Sequence, residues 1–112
     1  MSGPARLPAH LAVGGLLRAA EAGGGFGMVL HRGERDAGPI LVVLRVPGLP
    51  DTIYERLPRT DGSYPFVEVR SAADDAAGFD AYLARRQAQD PDTWIVELEG
   101  RSVADLIHSL AP

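Results

Sequence analysis

The run PILVVLRV, Pro39 to Val46, is apolar at both parities, with Ile40, Val42 and Leu44 on one side and Leu41 and Val43 on the other. Successive side chains of a strand point to opposite faces, so a strand with water on one side alternates polar and apolar residues. This one does not alternate. It is therefore predicted to be a central strand covered on both faces. A chain of 112 residues suits a single domain, large enough to bury about two thirds of its unfolded surface.

The flanking segments supply candidate partners. FGMVLH from Phe26 reads as a half-buried strand, joined to the central run by RGERDAG, a charged link of hairpin length. TIYERLP and YPFVEV around RTDGS read as a second hairpin, and TWIVELE alternates Trp94, Val96 and Leu98 against Ile95, Glu97 and Glu99. Pro8 to Ala22 carries Ala9, Ala12, Val13, Leu16, Leu17 and Ala20 at helical spacing, with Gly23 to Gly25 as its stop. Gly14-Gly15 weakens that helix by ~1 kcal/mol per glycine relative to alanine. Ser71 and Asp74 have the spacing of a capping box, opening a helix that carries Phe79, Tyr82 and Leu83 and ends before Asp90-Pro91-Asp92. Ser102 is placed to cap a short closing helix over 102–110, bearing Val103, Leu106, Ile107 and Leu110. The expected order is α-β-β-β-β-α-β-α. That is an α+β fold of helices packed on a mostly antiparallel sheet of about five strands, in one domain over 1–112 with residues 1–6 loose.

Composition removes several classes of function. Eleven basic against fifteen acidic residues give a net charge of −4, which argues against nucleic acid as a partner. With no cysteine there is no disulfide, thiolate zinc site or cysteine nucleophile, as suits a reducing cytoplasm. Arg6, the run LAVGGLL and Ala20-Glu21-Ala22 imitate a signal peptide, but two glycines and Arg18 spoil the apolar core. No segment approaches the ~20 apolar residues needed to cross a bilayer.

The motifs are equally sparse. AGGGFG follows a helix instead of preceding one, so its glycines meet the negative end of the dipole, and cap and turn explain them better than phosphate binding. His10, His31 and His108 stand on three different elements without metal-ligand spacing and are taken as structural; no nucleophile elbow surrounds any serine.

The stretch TDGSYPFVEVR, Thr60 to Arg70, is more informative, because its acid and Glu68-Val69-Arg70 imitate a metal-nuclease D...ExK signature. A three-residue loop with Gly62 in the left-handed region pairs Ile53 with Val69, Glu55 with Val67 and Leu57 with Pro65. The other face then sets Thr52 opposite Arg70, Tyr54 opposite Glu68, Arg56 opposite Phe66 and Pro58 opposite Tyr64. In this arrangement Asp61 and Glu68 lie about 20 Å apart and cannot share an ion. What remains is an outward aromatic and charged face of Tyr54, Arg56, Tyr64, Phe66, Glu68 and Arg70, of a composition favoured at interfaces. A second patch, Arg85, Arg86, Asp90 and Asp92, fits a helix terminus, where arginine meets the dipole and Asp-Pro-Asp stops the helix. Trp94, in phase with Val96 and Leu98, is assigned to the core.

AYLARRQAQDPDTWIVELEG, Ala81 to Gly100, with RLPAHLAVGGLLRAAEAGGGFGMVLHRG from Arg6 and PILVVLR, resembles a small bacterial family, domain of unknown function family 1491. The resemblance covers most of the chain and is less typical after Gly100. It implies a compact stand-alone cytoplasmic protein and carries no activity, cofactor or partner with it.

The leading expectation is a non-enzymatic protein-interaction or homo-oligomeric module using the 52–70 hairpin face, with no cofactor, no metal and no membrane contact. The runner-up is an enzyme or binder of phosphate-containing or nucleic-acid ligands through Arg56, Glu68, Arg70 and Arg85, with Glu97 as an added carboxylate. A third reading is a small anionic ligand held by the arginines.

Overall fold

The computed structural model describes residues 7–57, 60–62 and 64–110; the loose start expected for residues 1–6 lies outside them. The elements are α1 (Ala9–Ala22), β1 (Phe26–His31), β2 (Ile40–Arg45), β3 (Thr52–Arg56), β4 (Phe66–Ser71), α2 (Ala76–Gln89), β5 (Trp94–Glu99) and α3 (Arg101–Ser109). They build one five-stranded sheet in the order β1-β5-β2-β3-β4. This is the expected α+β fold, antiparallel except where β2 and β5 run parallel. Among the described residues no helix is long and apolar enough to cross a membrane.

The central strand is β2, whose Ile40, Leu41 and Val42 are inaccessible to solvent. Ile40, Val42 and Leu44 face α1 and α3, together with Trp94, Val96 and Leu98 of β5. Leu41, Val43 and Ile95 face α2 through Phe79, with Tyr82 and Leu83 packed beside it. Two cores therefore share one sheet.

The β1–β2 link is not a hairpin, because β5 lies between the two strands. Its residues fold over the start of β5 instead. Glu34 receives the Trp94 indole N–H on its carbonyl at 2.7 Å and gives its own N–H to the Asp92 carbonyl at 2.9 Å. The Glu34 carboxylate accepts the N–H groups of Ala37 and Asp36, which hold its pKa below the ordinary carboxylate value. The same loop closes α1, whose first N–H groups, on Ala9 and His10, donate to the carbonyls of Asp36 and Arg35 at 2.8 and 2.9 Å.

Two predicted caps sit elsewhere. Asp75 caps α2 by accepting the Gly78 N–H at 3.0 Å, while Ser71 ends β4 and its hydroxyl accepts the Ala73 N–H in a local turn. Ser102 lies inside α3 and donates to the Gly23 carbonyl at 3.3 Å, which ties the end of α1 to the start of α3. Gly25 closes this corner, since a Cβ there would collide with the Glu99 carbonyl oxygen.

The hairpin keeps the predicted register nearest its loop, with Tyr54 opposite Glu68, Glu55 opposite Val67 and Arg56 opposite Phe66. Leu57 donates to the Pro65 carbonyl, and Gly62 has the expected positive φ of 88°. Farther along, a bulge changes the partners, so Ile53 opposes Arg70 and Thr52 opposes Ser71. Pro58, the expected partner of Tyr64, lies outside the described residues.

On the α2 side, Arg86 reaches Glu55 of β3 with two hydrogen bonds of 2.7 and 2.8 Å and the Tyr82 hydroxyl at 2.9 Å. The Glu55 carboxylate raises the Arg86 pKa further, against the opposing effect of burial. These side chains are 20% and 13% exposed, so removing one partner leaves a poorly hydrated charge behind. Glu55→Ala is expected to cost about 2 kcal/mol in urea denaturation, whereas Asp51→Ala, which breaks the more exposed pair with Arg45, is expected to cost less than about 1 kcal/mol.

Candidate functional site

The six residues expected on one outward face separate. Tyr54 and Phe66 are only 6% and 4% exposed and belong to the core beneath α1 and α3. Their face is covered because Val103, Ala104 and Ile107 of α3 pack into the same cluster, and the Phe66 N–H donates to the Leu110 carbonyl at 3.1 Å. Arg56 stacks on Tyr64, 5.0 Å from the ring centre. The bulge leaves Val69 as the extra residue and carries Arg70 to the α2 side, over the Tyr82 ring at 4.9 Å. Glu68 alone stays exposed beside α3.

The second patch is structural in its contacts. Arg86 clamps Glu55, Arg85 lies 5.5 Å from the centre of the Tyr82 ring, and the Asp90 carboxylate accepts the Asp92 N–H. Arg70 and Arg85 meet over the Tyr82 ring beside Arg86, but Arg56 stacks on Tyr64, Glu68 lies beside α3 and Glu97 pairs with Arg45 on β2, so the five do not form one site. Among the described residues no group of three histidine or acidic side chains could hold a metal ion.

A site does form where the hairpin meets α3. Arg101, Ala104, Asp105 and His108 recur at the spacing of one helix face and line a groove of about 330 Å³. Leu44, Val46 and Leu49 give it an apolar wall, and Thr52, Tyr54 and Glu68 give it a polar one. His108 Nε2 lies 3.1 Å from the Tyr54 hydroxyl, which donates to Glu68 Oε1 at 3.4 Å. With that proton directed to Glu68, the hydroxyl is left to accept an N–H from His108 Nε2. Burial first, and then the Glu68 charge, raise the Tyr54 pKa. The phenol is therefore neutral at pH 7, a donor and not a base.

Sequence reasoning set His108 aside because nothing near it in the chain resembles a partner; Tyr54 lies fifty-four residues earlier. The usable signal was the polar row Arg101, Asp105 and His108 beside the apolar Val103 and Ile107 of the same helix.

The family described as protein of unknown function (DUF1491) matches residues 7–108. The chain belongs to this family. The match continues through His108, so α3 is part of the family's domain, and the weaker resemblance after Gly100 does not mark its end. A crystal structure of a DUF1491 family protein from Caulobacter crescentus CB15 is 32% identical, with a TM-score of 0.75 over 88% of this chain and 94% of that one. An NMR structure of a DUF1491 family protein from the same organism is 31% identical, with a TM-score of 0.73 over 89% and 91%. A solution structure of an A. tumefaciens protein is 26% identical, with a TM-score of 0.68 over 85% and 86%. No curated protein matches the chain.

Tyr54 can be isolated by the difference in tyrosinate absorbance between the wild type and Tyr54→Phe during alkaline titration. The midpoint should lie above about 10, the ordinary tyrosine value. Because the folded pKa is raised, its contribution to stability is complete below the unfolded value and is lost as pH rises through the folded one. Tyr54→Phe should therefore flatten the alkaline fall in stability, and an unchanged slope would contradict the assignment.

Proposed function

We propose that this DUF1491 family protein is a non-enzymatic binding module whose groove between the β3–β4 hairpin and α3 takes a small zwitterionic amphiphile, an amino acid or short peptide with an apolar side chain. The observation that carries this reading is an apolar wall with Arg101 at one end and Glu68 at the other, Asp105 standing between Arg101 and His108 on the helix face. Arg101 and His108 are seven helical residues apart, about 10 Å along the axis, and Glu68 joins the His108 end through Tyr54. A carboxylate would meet Arg101 at one end, an ammonium would meet Glu68 at the other, and Leu44, Val46 and Leu49 would receive the apolar body. The volume is at the small end of ligand pockets.

A binding role is favoured over the phosphate-directed alternative because the residues of that alternative are split, Arg70 and Arg85 lying over Tyr82 on the α2 side while Arg56 stacks on Tyr64 and Glu68 lines the groove by α3. The hairpin keeps a part in recognition through Tyr54 and Glu68. The absence of cysteine suits a reducing cytoplasm, which we include in the proposal.

Thermal-shift measurements with leucine and leucine-containing dipeptides, beside their N-acetylated and amidated forms, test this directly. At tenfold excess over Kd the free-ended ligand should add about 1.4 kcal/mol of stability, or about 5 °C in Tm. Glu68→Gln and Arg101→Gln should each abolish the shift. No shift with any free-ended ligand at millimolar concentration would end the reading, and a shift only with phosphorylated metabolites would favour an anion site instead.

A further inference from the structure

The sheet has two edges of different character. At β4 the first N–H, on Phe66, is taken by the Leu110 carbonyl, whereas β1 is the outermost strand beyond β5. Edge strands are commonly protected by charge or proline, and FGMVLH has neither, with His31 its only ionisable side chain. Its face is also uncovered among the described residues. Phe26 and Met28 pair with Glu99 and Glu97 on the side away from α1, and with Leu30 they are 49%, 43% and 47% exposed. Helix α2 packs on the same face over Leu41, Val43 and Ile53, leaving β1 bare. Gly27 and Val29, by contrast, are half-buried on the α1 side.

We propose that two copies of this chain associate by antiparallel pairing of β1 with β1 about a two-fold axis, joining two five-stranded sheets into one of ten strands. Residues directly opposite in such a pair share a face. An axis at Met28 sets Phe26 against Leu30 of the second copy, and an axis at Gly27 sets Phe26 against Met28. Both put apolar side chains opposite apolar ones, with no like charges across the seam. A second copy meets both requirements of this surface, a free strand edge and a matching apolar row. The bulge between Val29 and His31 limits the regular edge, so the buried area is on the order of 1,000 Å² in total, at the low end for specific pairs. The dimer is weak and reversible. It leaves the groove by α3 open and does not depend on the ligand reading.

The chain has no cysteine, so a single introduced thiol reports only contacts between copies. Met28→Cys treated with a short bismaleimide should give at least tenfold more covalent dimer than Leu11→Cys, whose thiol would stand on α1, also exposed. In sedimentation equilibrium the wild type should pass from monomer to dimer as concentration rises towards about 1 mM. Met28→Lys, with an unchanged circular dichroism spectrum, should remain monomeric throughout. A wild type that stays monomeric, equal crosslinking of the two cysteine variants, or a folded Met28→Lys that still dimerises would each overturn the proposal.

Discussion

Strand β2 has no polar face to offer water, and the rest of the molecule is arranged around that constraint. Ile40, Val42 and Leu44 require one cover and Leu41 and Val43 require another, so helices must lie on both sides of the sheet. Parallel neighbours cannot be joined by a tight turn. The parallel pairing of β2 with β5 is accordingly reached through a long excursion containing β3, β4 and α2. That excursion brings the hairpin to one side of β2, leaving β1 and β5 on the other.

Periodicity made most of this legible. The helical spacing of Ala9, Val13, Leu16 and Ala20, the double parity of PILVVLRV and the alternation of TWIVELE each reported a local burial pattern, and each element formed where its pattern lay. Strand order was less accessible. A link such as RGERDAG is compatible with adjacent strands or with one strand between them, and only the contacts of Glu34 with Asp92 and Trp94 decide it. The caps differ because Ser71 accepts from Ala73 in a local turn and Ser102 donates to the far end of α1 at Gly23 instead of capping its own helix.

The candidate site was legible only in fragments. Hairpin register placed Tyr54 opposite Glu68, which is correct, yet register does not say which face receives a helix. Tyrosine and phenylalanine among arginines looked like a surface because the apolar Val67 and Val69 occupied the alternative face. In the fold helices pack on both sides of the sheet, and Tyr54 and Phe66 lie under α3. One extra residue at Val69 then separated Arg70 from Glu68, an effect strict alternation does not contain.

The contact between Tyr54 and His108 also has a meaning in time. A chain emerging from its N-terminus completes β3 and β4 long before the residues of α3 exist. Until they arrive, Tyr54 and Phe66 have only one of their two covering helices, so the growing chain shows a sticky aromatic strip on a sheet that still awaits β5, which ends one residue before α3. Docking of α3 covers that strip and creates the groove in the same step. The chain therefore covers an apolar strip and forms the groove beside α3 together, and slow formation of α3 would delay both.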